Sequence, residues 1–280
     1  MKTILLPTDF SENSWNAIAY AINFLEDYKC TFYVLHVNRM KNIIDNESLY
    51  LDVHKSIEEA YTESSKRRLK RTLKRISKEF PNNDNHKFYT ITDYNFFVES
   101  IRNYVRQKSV DLIVMGTKGA SGLKEYIIGS NTGDIITKVK CTTLVVPEHA
   151  KFKPLKEMAF PTDYALNYDI SVLQPMSDIL EKTEAALRLL HINKNGEQLN
   201  TEQQSNKDLL DDFFDASERS FHFLTNKKVE DAVQCFVESR DVDIIAMIAK
   251  NLNYFQQILF HSRVEKISYH TKVPFLVLHE

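Results

Sequence analysis

The chain has 280 residues, 43% of them apolar, and a formal net charge of -2 with a pI near 6.5. That length suits two domains of ordinary size with packed cores, and the charge balance excludes a polyanion binder acting through bulk electrostatics, so nucleic acid is not an expected partner. The three cysteines, Cys30, Cys141 and Cys235, are odd in number and outside any CxxC spacing, which argues against a disulfide framework or metal cluster; each reads as a small core residue in a reducing compartment.

In chain order, the opening MKTILLPTDF has an apolar run of three residues before Pro7, too short for a signal-peptide core or a membrane span. The expectation is a soluble cytoplasmic protein with no membrane partner. Residues 3–6 read as a strand ending at Pro7-Thr8-Asp9. A helix follows Ser11 or Ser14, with Trp15, Ile18, Ile22 and Leu25 on one stripe. Residues 31–37 form a second strand. Residues 39–53 then read as a surface connection, and KRRLKRTLKRISK at 66–78 as the solvated face of a helix packed by Leu69, Leu73 and Ile76. Strands at 88–92, 112–115 and 143–146, with helices marked by Phe97, Ile101, Tyr104 and Val105 and by Ile135, Ile136 and Val139, complete the unit.

The unit then recurs. Pro7-Thr8-Asp9 corresponds to Pro161-Thr162-Asp163, Leu35-His36-Val37-Asn38 to Leu190-His191-Ile192-Asn193, and Val110-Asp111-Leu112-Ile113 to Val242-Asp243-Ile244-Ile245; from residue 110 to 148 the offset is a constant 132. HAKFKP, starting at His149, has a linker's composition. The fold expected is α/β: two tandem doubly wound domains, residues 1–148 and 155–280, each a mainly parallel five-stranded sheet with helices on both faces. His36 and His191 recur at matching strand ends without Cys or acidic ligands nearby and read as structural, with no metal assigned.

Five of the six glycines lie between Met115 and Gly133, after the fourth strand. Ligands in such sheets lie beyond the strand carboxyl ends where strand order reverses. Gly116 and Gly119 can turn sharply and expose amides, and Gly129-Ser130-Asn131-Thr132 opens a helix whose free amides and hydroxyls suit phosphate. Asp9, on the opposite lip, can accept from a ribose hydroxyl or a base amine. Together they point to a nucleotide. The loop is neither a Walker loop nor a GxGxxG turn after the first strand.

Gly116, two residues, Gly119, nine residues, Gly129 and Ser130 match the loop of the nucleotide-binding branch of the universal stress protein family. ILLPTDFS, the strand-end LHV and DLIVMGTKG resemble that family in the same order. The resemblance implies an adenine nucleotide alpha hydrolase-like fold that binds ATP, with or without Mg²⁺, at Pro7, Thr8, Asp9, Val37, Met115, Gly116, Gly119, Gly129, Ser130, Asn131 and Thr132. Asp9 and the backbone at Val37 would hold the adenosine end, and Gly116, Gly119, Gly129, Ser130 and Thr132 the phosphates; Asn131 departs from the family's small apolar residue. It also implies that the final strands, 143–146 and 275–278, pair or pack as an internal pseudo-dimer, and it leaves a further homodimer open.

The second copy departs further. Ile248, Asn251 and His261 replace Gly116, Gly119 and Gly129, with Ser262 retained, so side chains stand where backbone should approach phosphate. That copy is expected to be a degenerate assembly partner; the competing reading is an altered ligand, with His261 and Arg263 as the residues to watch. No second carboxylate or glutamine is tied to the loop to orient a water, leaving Lys118, Lys124 and Glu125 as unanchored charges. A non-catalytic ATP-binding module in stress response is therefore the leading expectation. The alternatives are a slow ATPase or other nucleotide-using enzyme, and a scaffold that binds nothing.

Overall fold

The computed structural model describes residues 1–39, 50–81, 83–117, 130–193, 198–226, 228–250 and 273–279, with the side chains at 39 and 50–61 outside that description. The first half runs β1 (Lys2–Pro7), α1 (Glu12–Phe24), β2 (Cys30–Arg39), α2 (Tyr50–Glu79), β3 (His86–Asn95), α3 (Phe97–Lys108), β4 (Leu112–Gly116), α4 (Ser130–Lys138) and β5 (Thr143–Val146). The second runs β6 (Glu157–Pro161), α5 (Ile170–Thr183), β7 (Ala186–Asn193), α6 (Thr201–Phe213), β8 (Arg219–Thr225), α7 (Val229–Ser239), β9 (Ile244–Ile248) and β10 (Phe275–Leu278).

All ten strands join one sheet in the order β3-β2-β1-β4-β5-β10-β9-β6-β7-β8. Each half is parallel and reverses its strand order at its first strand, between β1 and β4 and between β6 and β9. The halves meet where β5 and β10 pair antiparallel, Val145 opposite Phe275 and Thr143 opposite Val277. The two final strands expected to associate therefore do so by main-chain pairing.

Alternation along the strands sorts the core into two layers. Leu6, Val114, Leu144, Phe160, Ala246 and Leu276 face α1, α2, α5 and α6 in one apolar cluster that crosses both halves. On the other face, Leu5, Ile113 and Met115 pack on α3 and α4, while Ile245, Met247 and Val277 pack on α7 together with Ile136 of α4.

The duplication extends to individual hydrogen bonds. Asp111 accepts the amide of Thr3 at 2.6 Å, and its counterpart Asp243 accepts those of Lys156 and Glu157 at 2.7 and 3.0 Å. The recurring Val-Asp pair thus fastens the start of the fourth strand to the start of the first. Ser109 and Asp241, just before it, both take left-handed backbone with φ near 48° and 49°.

Three expectations need correction. Residues 39–53 are not one connection: Arg39 belongs to β2 and residues 50–53 to the long α2, while residues 40–49 lie outside the described residues. The strand run 31–37 is longer at both ends because β2 and β3 pair over ten residues. Cys30 and Cys141 are buried as expected, but Cys235 is exposed, because α7 turns Val233, Phe236 and Val237 to the sheet instead. The segment with a linker's composition is also fastened down: Asn16 of α1 donates to the carbonyls of Pro147 and Ala150 at 3.2 and 2.9 Å, and Ala150 and Leu155 are buried.

Candidate functional site

The crevice forms because the chain leaves β1 and β4 in opposite directions. The amide of Thr8 bonds to Leu35 of β2 at 2.8 Å, whereas that of Thr117 bonds to Val146 of β5 at 3.1 Å. Between them, Pro7-Thr8-Asp9 and Gly116 stand side by side at the reversal point, as doubly wound topology requires of a ligand site.

Side chains hold the first lip. Thr8 Oγ1 accepts the amide of Phe10 at 3.0 Å and pairs with Ser14 Oγ at 2.9 Å. Asp9 Oδ1 accepts the amide and hydroxyl of Ser11 at 3.0 and 2.6 Å, which closes an Asx turn. These bonds hold Phe10 in left-handed backbone with φ 65°, unusual for a bulky residue. Ser11 then caps α1 by accepting the amide of Ser14 at 3.1 Å. The Phe10 ring lies 4.4 Å from that of His36, whose Nδ1 donates to the Thr8 carbonyl at 2.7 Å. A carbonyl only accepts, so Nδ1 carries the proton. Burial, with Arg68 nearby, holds His36 below its ordinary pKa despite that bond; His191 makes the matching bond to the carbonyl of Thr162 and is held down by burial too.

On the second lip, Gly116 is a glycine for a steric reason. A Cβ there would stand 2.8–3.0 Å from the amide group of Asn13, which α1 buries against it. Thr132 is buried and its hydroxyl donates to the Gly116 carbonyl at 2.9 Å, so it fastens the start of α4 to the end of β4 and that donor is not aimed at a ligand. Met115 points into the core between the sheet and α3 and α4, leaving its backbone to the crevice. Val37 is half-buried in β2; Ser130 is exposed at the first residue of α4, and Asn131 is half-buried beside it. Gly119, Gly129, Lys118, Lys124 and Glu125 lie outside the described residues.

The second half repeats the scaffold with different side chains. Tyr164 takes the place and the left-handed backbone of Phe10, with φ 56°, and is fully buried. Tyr168 stands where Ser14 stands, its hydroxyl against that of Thr162. Gln203 and Asn206 of α6 donate to the carbonyls of Asp163 and Tyr164 at 2.9 and 2.8 Å. Ile248 is buried in the core where Gly116 lies in the first half, and Asn167, counterpart of Asn13, is exposed. Asn251, His261, Ser262 and Arg263 lie outside the described residues. Among the described residues, no group of three metal-ligating side chains converges, and no helix is long and apolar enough to cross a membrane.

Sequence reading missed Asn13 and the aromatic pair Phe10 and Tyr164. Both were detectable, since Asn13 recurs as Asn167 and an aromatic recurs after each Pro-Thr-Asp.

Near the joint, His279 follows β10 with Nε2 buried and unpartnered; burial and the Lys140 charge push its pKa down to about 4. A depressed histidine stabilises the fold above its unfolded pKa of about 6.5, and that stability is lost as pH falls through the folded value. Urea unfolding between pH 7 and 4 is expected to show roughly 2–3 kcal/mol lost to this group. The loss should shrink in His279→Gln; identical slopes would refute the assignment.

Fold and crevice together define a tandem, doubly wound α/β protein whose two strand-reversal points carry different side chains. A family model described as the universal stress protein family matches residues 1–147. The chain belongs to that family. It is 30% identical to universal stress protein MJ0531 of Methanocaldococcus jannaschii over 159 residues, 56% of this chain and 85% of the relative. With universal stress protein MJ0577 of the same organism it shares 32% over 153 residues, 52% of this chain and 94% of the relative. The solved structure of a universal stress protein from Archaeoglobus fulgidus DSM 4304 is alike in fold, with TM-score 0.64 at 17% identity, over 98% of this chain and 97% of that one.

Proposed function

We propose that this is an ATP-binding universal stress protein acting as a non-catalytic module in stress response, with the nucleotide held by a first domain, residues 1–148. The observation that carries the reading is the place of the glycine motif. It leaves β4 at the reversal point beside Asp9 and leads into α4, described from Ser130, which supports a site where amides at a helix start and an acceptor for adenosine would share one crevice. ATP suits that donor set: Asp9 and the Val37 backbone take the adenosine end, while the backbone at Gly116, Gly119 and Gly129, with Ser130, takes the phosphates. Any Mg²⁺ would be held largely through phosphate oxygens.

The second domain, residues 155–280, is then a structural partner; the reading is supported by buried Tyr164, Tyr168 and Ile248 in the places of Phe10, Ser14 and Gly116. The antiparallel joint of β5 and β10 supports reading the monomer as an internal pseudo-dimer. A location in the cytoplasm fits this role.

Calorimetric titration with ATP and Mg²⁺ tests the proposal through its stoichiometry. One ATP per chain at micromolar affinity, about 8 kcal/mol, is expected. Two per chain would refute the structural-partner reading of the second domain. No binding up to millimolar ATP, checked by equilibrium dialysis, would refute the nucleotide reading, and steady hydrolysis on the order of 1 per second would replace it with an enzyme.

A further inference from the structure

A groove adjoins the Thr8 lip, between the first turns of α1 and the middle of α2, walled by Thr8, Phe10, Trp15, Arg68, Arg71 and Arg75. Its volume is about 220 Å³, below the roughly 300–1,000 Å³ typical of sites for drug-sized ligands, so a whole nucleotide does not suit it. The three arginines arise from the basic run of α2, which buries Leu69 and Ile76 against the core and thereby turns positions 68, 71 and 75 toward α1.

These arginines are not equivalent. Arg75 lies over the Trp15 ring at 4.0 Å and is bonded to both oxygens of Glu12, at 2.9 and 3.1 Å, and to Glu79 at 2.9 Å. Its charge is met, and so is that of Glu12, the acid of the groove. Arg68 is held over the Phe10 ring at 4.0 Å with no carboxylate on it among the described contacts. Arg71 lines the groove with no ion pair among the described residues. Two guanidinium groups one helical turn apart are thus left over a cleft with a buried apolar wall. Planar forks of this kind suit the oxygens of a phosphate, and two of them balance a dianion.

We propose that this groove is a second ligand site, taking a small phosphate monoester through Arg68 and Arg71 and adjoining the crevice between β1 and β4 at Thr8. The stack of Arg68 on Phe10, next to Asp9, connects the two sites physically. A phosphate monoester fits better than a nucleic acid strand because the cleft is small and, among the described residues, no row of open aromatic faces accompanies its cations.

Trp15 is the single tryptophan of the chain, so its fluorescence reports on the groove. Titration with glycerol 3-phosphate at constant ionic strength, followed by Trp15 emission and by calorimetry, is expected to saturate, with glycerol and chloride inert. Arg71→Gln, an exposed change that leaves the packing of α2 intact, should weaken binding about tenfold, the worth of one charged hydrogen bond. Saturating ATP should leave the glycerol 3-phosphate sites countable at one per chain. Absence of saturation by both readouts, an affinity unchanged in Arg71→Gln, or stoichiometric displacement by ATP would each overturn the proposal. So would binding confined to phosphatidate vesicles or to a single-stranded oligonucleotide.

Discussion

Gly116→Ile is expected to cost about 1–3 kcal/mol of stability by overpacking and to weaken ATP binding roughly a hundredfold, about 2.7 kcal/mol. The substitution installs what the second half already carries. There Ile248 is buried at the equivalent place, and the helix that follows the first strand has given way: its cap is Asp169, the counterpart of Trp15, whereas α1 is capped a turn earlier at Ser11. In the first half a branched side chain at 116 meets the Asn13 amide, since even a Cβ would lie 2.8 Å from its nitrogen. Relief requires the Asn13 side chain to turn aside in the first turn of α1, next to the Ser11 cap and the Asx turn that sets Asp9. Urea unfolding and ATP titration on the same variant separate the two parts. Loss of stability with unchanged ATP affinity would mean that nucleotide binds elsewhere; unchanged stability would mean that Asn13 yields without consequence.

That asymmetry explains what could be read from the sequence and what could not. The strands were legible because alternating apolar residues must face two helical layers, and the duplication because recurring residues such as Asp111 and Asp243 do one job twice, each accepting an amide at the start of its half's first strand. The reversal-point crevice followed from topology. Less legible was why each residue in it is what it is. Gly116 reads as an approach to phosphate, yet Asn13 supplies a steric reason from within the protein. Thr132 reads as a ligand hydroxyl, yet its donor is spent on the Gly116 carbonyl. Such contacts join residues far apart in the chain, and local pattern carries no information on them. The basic run of α2 shows the same limit: spacing identified Leu69, Leu73 and Ile76 as its packed face, but which arginines face α1 depends on how two helices lie together.

Phe160→Ala is expected to destabilise the whole chain by about 3–5 kcal/mol, the usual result of truncating a buried aromatic ring. Phe160 is 1% exposed in β6, which is flanked by β7 and β9, and its side chain lies in the apolar cluster beneath α1, α2, α5 and α6. That cluster runs without interruption from Ile4 and Leu6 through Leu144 and Val146 to Leu276 and Leu278, across the joint of β5 and β10. Contacts outside the sheet reinforce the joint. Asn16 holds Pro147 and Ala150, Lys153 pairs with the buried Asp243 at 2.6 Å, and Phe152 packs edge-on against Tyr20. A cavity opened in the second half therefore removes contacts that the first half shares. Calorimetric heating should show one transition in the parent chain, moved down by on the order of 10 °C in the variant. Two transitions, with only one displaced by Phe160→Ala, would show that the halves unfold separately and that the antiparallel joint couples them weakly. A single displaced transition would mean that the second half supports the first, which gives the second copy a physical role through packing alone.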